Sequence, residues 1–232
     1  MEINEFDLST SGNKRIAKTV VNKDSVAKKS LYVIAFILPT AIITGICTGI
    51  VEYVGSAILG IILGIISGLL VSVFTLSFFI KIYEAMFEGK AEFGIKFNKE
   101  QWFPVALASA ITSAIALWTI ALSNGALKDL LEIVSLILSV VIIMIYYVAV
   151  ATKYRGMEAF MLGVKLGFKY FFRILLLILS FIPLALLIVI TFGIVGIWKG
   201  MYIETTYCIL CEKILRREGI EGNSKIKETI EF

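Results

Sequence analysis

Five stretches without a charged side chain constrain what this chain can fold into: Ser30 to Val51, Tyr53 to Ile80, Trp102 to Leu127, Ile133 to Thr152 and Ile174 to Trp198. A bilayer core ~30 Å thick is crossed by ~20 apolar residues of an α-helix, so each stretch is long enough to span it. All 22 Lys and Arg and all 18 Asp and Glu lie outside these stretches. A soluble core has no need of such segregation, whereas hydrocarbon admits helices that satisfy their own backbone and excludes charge. The pattern predicts an all-α, polytopic integral membrane protein.

The basic residues then orient it. Six Lys or Arg fall in residues 1–29, four in 81–101, five in 153–173 and five in 212–232, which leaves only Lys128 and Lys199. Basic loops stay cytoplasmic, so these segments predict a multi-pass cell-membrane protein with both termini cytoplasmic and an even number of spans. Parity divides the apolar run after Arg173 into a fifth span at about 173 to 191 and a sixth at about 194 to 214, joined by a tight turn near Thr191 to Ile194. The expected architecture is six transmembrane helices as three antiparallel hairpins over residues 30–215, after a basic cytoplasmic segment 1–29 and before a charged cytoplasmic tail 216–232. Lys199 then sits at the outer interface. The sixth stretch is polar enough to be a re-entrant or interfacial segment instead. The first span is too long for a signal-peptide core and is expected to stay as an uncleaved anchor. Short connectors leave no room for a separate soluble domain. The net charge of +4 suits anionic lipid headgroups and gives no nucleic-acid footprint.

Each inward-going helix ends in a polar tail: Lys81, Tyr83 and Glu84 with Glu88 and Gly89, then Lys153, Tyr154, Arg155 and Gly156, then Glu212 and Lys213 with Glu218 and Gly219. A pseudo-threefold repeat of a two-helix unit and the general reuse of interfacial residues both account for this. Within the connector from Arg155 to Phe172, Met157, Phe160, Met161, Val164, Phe168 and Phe171 recur at helical spacing, with Glu158, Lys165 and Lys169 on the opposite face. That predicts an amphipathic helix lying in the inner interface. The run EAFMLGVKLGFKYFFRIL from Glu158, with the six spans and a last helix rich in Tyr and Thr, resembles the membrane domains attached to some glycerophosphodiester phosphodiesterases and related prokaryotic membrane proteins. The resemblance covers roughly residues 80–217 and bears on the fold. The catalytic chemistry of those enzymes resides in a soluble domain absent from this sequence, so no catalytic residue carries over.

Ser56, Gly60, Gly64, Gly68 and Ser72 recur every four residues in the second span, and Ala41, Gly45 and Gly49 do so in the first. Small residues let helix backbones approach closely where lipid offers no hydrophobic drive, so these two helices are expected to pack on one another, or to form a seam with a second copy. Ala106, Ala110 and Ala114 repeat the theme in the third span. Pro39 and Pro183 are expected to kink the first and fifth spans.

The chain has no histidine, which removes Ser-His proteolysis, His-ligated zinc and haem, and His phosphotransfer together. No phosphate loop or paired-carboxylate site appears, so no enzyme and no cofactor is expected. The polar exception is a stripe in the sixth span: Glu204, Tyr207, Cys208 and Cys211, followed by Glu212. Charge there must be neutralised, paired or set against a cavity. Glu204 is either a structural carboxyl or the site of a proton, cation or headgroup. Cys208 and Cys211 form a C-x-x-C with too few further ligands for a metal. Membrane lipids are the expected partners, with a protein partner or second copy at the small-residue faces. These features suit a non-catalytic accessory or scaffold subunit, or a small carrier for a lipid or hydrophobic solute. A proton- or cation-coupled transporter using Glu204 is the alternative, and a lipid-headgroup enzyme is the least favoured.

Overall fold

The computed structural model describes residues 9–21, 26–87, 95, 97–122, 125–191 and 193–220, and no strand occurs among them. The helices in chain order are α1 (Thr10–Val21), α2 (Val26–Val54), α3 (Ala57–Phe87), α4 (Lys99–Ala121), α5 (Ala126–Ala151), α6 (Gly156–Lys169), α7 (Phe171–Leu179), α8 (Ile182–Ile190) and α9 (Ile194–Arg217). The tail beyond residue 220, like Glu88 and Gly89, lies outside the described residues.

Helices α2 to α5 are each long and apolar enough to cross a membrane, as the first four charge-free stretches predict. The fifth stretch is broken. Helices α7 and α8 meet at a 42° bend, and Pro183, in the first turn of α8, supplies the reason because it has no N–H to continue the ladder. The α7 end is closed from outside the stretch: Lys14 Nζ of α1 donates to the Ser180 carbonyl at 2.8 Å and lies 4.3 Å from the Phe181 ring centroid. A cation at a helix C-terminus is electrostatically favoured. The basic N-terminal segment is therefore partly built into the fold, with Ile16 and Ala17 buried against Ile209 of α9. By contrast, α2 stays helical through Pro39.

Helix α9 departs from the expected sixth span. It carries Lys199, Glu204, Glu212, Lys213, Arg216 and Arg217 and is less apolar than a spanning helix. Its Gly200 packs on Val33 and Ile37, where a Cβ would meet Val33 Cγ1 at 3.4 Å. That contact lies near Val33, where the apolar part of α2 begins, so Gly200 sits beside the N-terminal end of that stretch. The charge of α9 is why it falls short of a spanning helix, since ionisable side chains are costly in hydrocarbon.

Helix α6 also differs from expectation. Rather than lying flat in the interface, it runs back antiparallel along α5, with Gly163 against Ile145 and Gly167 against Val141. Its most buried face is Ala159, Gly163, Leu166 and Gly167, while Met157, Met161 and Phe168 remain more than half exposed. The small-residue face wins because only it allows close approach to the α5 backbone.

The tightest seam joins α3 to α4. A Cβ on Gly60, Gly64 or Gly68 would lie 2.8 Å from the Leu117 carbonyl oxygen, 2.4 Å from Ala114 Cα or 2.4 Å from the Ser109 carbonyl oxygen, respectively. Ser72 extends the seam by accepting from Trp102 Nε1 at 2.7 Å. Ser56 lies at the turn before α3, where its Oγ accepts from the Leu59 amide at 3.4 Å. The expected pairing of this stripe with α2 is therefore corrected: Gly45 and Gly49 have no atom within 4 Å of an added Cβ, and α2 meets α3 through bulk such as the Phe36 and Phe78 rings, 5.9 Å apart. Small residues on α4 complement the glycines, whereas α2 offers Ile and Phe. Replacing Gly64 by Leu should destabilise the protein in detergent by at least ~1–3 kcal/mol through overpacking, while Gly45→Leu should leave the thermal midpoint unchanged. Equal effects of the two substitutions would contradict this seam.

Candidate functional site

The polar stripe of α9 divides between two places. Glu204 lines a cavity of about 240 Å³ between α2, α3, α5 and α9, whose other walls are Phe36, Ile37, Thr40, Phe74, Thr75, Phe78, Phe79, Ile143 and Tyr146. Five of these residues are aromatic, none is basic, and Glu204 is the one carboxylate. The aromatic wall is held in place by its own contacts. The Phe79 ring stands edge-on to Tyr146 at 5.4 Å, and the Tyr146 hydroxyl lies 2.7 Å from Ser109 Oγ, so that hydroxyl is engaged away from the carboxylate. Among the described residues, Glu204 has no hydrogen bond or ion pair. Ile37 lines the cavity yet is 46 % exposed, so the cavity opens at the flank of α2.

Glu212, two turns further along α9, faces a different environment. Its Oε2 accepts from the Tyr147 hydroxyl of α5 at 2.8 Å and its Oε1 from Arg216 Nε at 3.0 Å. On α3, Lys81 Nζ lies 3.5 Å from Glu84 Oε2, with both residues buried, and the Tyr83 ring is 6.4 Å from that of Tyr147. Two opposite-charge pairs thus gather where α3, α5 and α9 meet. Each charge pair lies within one helix, and the Tyr147–Glu212 hydrogen bond ties α9 to α5 at this knot.

Along the stripe that sequence spacing put together, Glu204 lines the cavity and the residues after it pack in the core beside it. Cys208 and Cys211 are free and buried in the main core. Tyr207 packs edge-on against Phe181, with ring centroids 5.7 Å apart. Cys47 belongs to a separate cluster with Val51 and Leu117. Among the described residues no three His, Cys, Asp or Glu side chains converge as metal ligands. Sequence reasoning did not identify Tyr147, Tyr146 or the cavity phenylalanines as site residues. The repeated polar tails gave a signal for the knot, since Lys81, Tyr83, Glu84 and Glu212 belong to them. Nothing comparable marked the phenylalanines, which are indistinguishable from core residues along the chain.

At the end of α9, Glu218 accepts from Lys169 Nζ at 2.7 Å and from the Tyr170 hydroxyl. These hydrogen bonds, Lys169 first, hold the Glu218 carboxyl below its ordinary range, while burial, with the bond to Glu218, raises the Tyr170 hydroxyl. Comparison with protein families, curated proteins and solved structures finds no match to the chain.

Two outcomes follow. Tyr147→Phe leaves one Glu212 oxygen without its buried donor and should cost ~1–3 kcal/mol in detergent unfolding; an unchanged midpoint would remove the knot from the stabilising interactions. For Glu218 the folded carboxyl titrates below the unfolded one, so its contribution is present above about pH 4.3 and fades as pH falls through the folded value. Wild type should therefore exceed Glu218→Gln in stability at neutral pH, and the two unfolding curves should converge under acid. A gap that persists at low pH would mean that the carboxylate charge is not the cause.

Proposed function

We propose that the protein is a non-catalytic, multi-pass protein of the cell membrane that binds a small hydrophobic solute, acting as a carrier or as the solute-binding subunit of a larger assembly. The observation that carries this reading is the cavity of about 240 Å³ with a largely apolar, aromatic wall and a single carboxylate. It is just below the ~300–1,000 Å³ of sites that hold drug-sized ligands, which suits one small molecule. Its opening beside Ile37 gives a route from the lipid. The likeness to phosphodiesterase-associated membrane domains supports the fold proposal only and adds no residue to the site.

For topology, the reading is four full crossings by α2 to α5 with both termini cytoplasmic, and α6 to α9 returning to the cytoplasmic side. The charge distribution supports it. With α9 on that side Lys199 joins the cytoplasmic basic residues, and Lys128 alone lies outside. The six-span arrangement instead exposes the turn at Thr191 to the exterior. A cysteine at Thr191, in a background with the three native cysteines replaced, should resist an impermeant maleimide added outside intact cells; labelling there would restore six spans.

A second reading, cation- or proton-coupled transport through Glu204, is favoured by the lack of a hydrogen-bond or ion-pair partner for that carboxyl among the described residues. If it holds, Glu204→Gln should abolish transport without unfolding the protein, and unchanged uptake would dismiss it.

The solute-binding reading is tested by filling the space. Native mass spectrometry of protein extracted in mild detergent should show a bound small molecule that is lost in Thr75→Trp. A bound molecule that survives the filled cavity would place binding elsewhere.

A further inference from the structure

Hydrophobic-solute binding leaves one feature of the cavity unexplained. An ordinary apolar ligand has no use for a carboxylate, and a carboxylate facing an apolar space without a protein partner is costly. Among the described residues no basic side chain lines the cavity and Glu204 has no hydrogen bond or ion pair. Such a carboxyl is either held protonated or paired with a cationic group brought by the ligand.

The surrounding rings narrow the chemistry. Phe36, Phe74, Phe78, Phe79 and Tyr146 line the same space as Glu204, and the contacts of Phe36 with Phe78 and of Phe79 with Tyr146 hold four of these rings in fixed orientations. Aromatic faces attract cations within about 6 Å of the ring centroid and recognise quaternary ammonium groups in particular. A preformed aromatic box with one acid is complementary to a compact organic cation and offers nothing to an anion. A phospholipid headgroup fits poorly, because its phosphate would enter a cavity with no basic partner. The mouth beside Ile37 lies four residues from the start of the α2 span at Val33, roughly 6 Å along the helix. Amphipathic cations gather near this depth, with the charge toward the headgroups and the apolar part in the chains.

We propose that the cavity binds a lipophilic ammonium ion, with Glu204 as its counter-ion and the five aromatic side chains as its cation-binding box. This deepens the solute-binding reading and rests on it. The experiment uses the full chain in phosphatidylcholine nanodiscs and follows binding of benzyltrimethylammonium, its uncharged carbon isostere neopentylbenzene, and glycerophosphocholine as a competitor. Wild type should bind the cation saturably and more tightly than the isostere. Glu204→Gln should weaken cation binding by about ten- to a hundredfold, the scale of a lost close charge pair in a desolvated site, and affect the isostere far less. Phe78→Leu keeps apolar bulk but removes a ring face, and should weaken the cation by about two- to fivefold more than the isostere.

Equal binding of cation and isostere, or cation binding indifferent to Glu204→Gln, would overturn the ammonium assignment while leaving the hydrophobic-solute reading in place. Competition by glycerophosphocholine would overturn the exclusion of phosphate-bearing ligands and with it the assignment to a free ammonium ion. Failure of wild type to bind either probe, together with no bound molecule lost in Thr75→Trp, would overturn the cavity reading itself.

Discussion

Close backbone contact between α3 and α4 is the constraint on which the rest of the bundle depends. In hydrocarbon, helices gain little from burying apolar surface, so association relies on how many atoms come into contact. Gly60, Gly64 and Gly68 let α3 approach the backbone of α4 at three successive turns. Helix α5 then packs beside α4, with Ala108, Val141 and Ile145 in one cluster, and α6 repeats the device with Gly163 and Gly167 against α5. Glycine thus has the same role twice, each time by removing a Cβ that would strike a neighbouring helix.

A second kind of interaction organises the end of the bundle where the polar tails meet. Helix α9 is more charged than α2 to α5, and a specific polar bond, Tyr147 of α5 on Glu212, ties it to the bundle, beside the intrahelical Glu212–Arg216 and Lys81–Glu84 pairs. Polar knots of this kind penalise misplacement strongly, because a displaced partner leaves a buried charge uncompensated. The cavity follows from this arrangement. Helix α9 is fixed at the knot by Glu212 and packed on α2 by Gly200, and between these anchors Glu204 faces an aromatic-walled gap that the helices do not close.

Legibility from sequence varied with the locality of the physics. Helices α2 to α5 could be read directly, because the length of an uncharged run is set by membrane thickness. The turn near Thr191 to Ile194 was also legible, and Gly193 is found there with φ +87°. The break before Pro183 was foreseen as a kink. Partner choice was less accessible: the small-residue stripe of α3 was visible, but its preference for α4 depended on Ser109, Ala110, Ser113 and Ala114 lying opposite. For α6, bulky periodicity drew attention to Met157, Met161 and Phe168, whereas the packed face is made by the two glycines.

The sequence by itself determined that the chain forms helices long and apolar enough to cross a membrane and that Glu204 would need a special environment, since each follows from the cost of charge and open backbone in hydrocarbon. Only the tertiary structure decided that Glu204 and Glu212 face different surroundings, that α9 meets α2 near Val33, and that phenylalanines from two helices enclose a carboxylate from a third. Those outcomes depend on contacts between residues far apart in sequence, 65 positions for Tyr147 and Glu212, and such contacts leave no periodic trace in the chain.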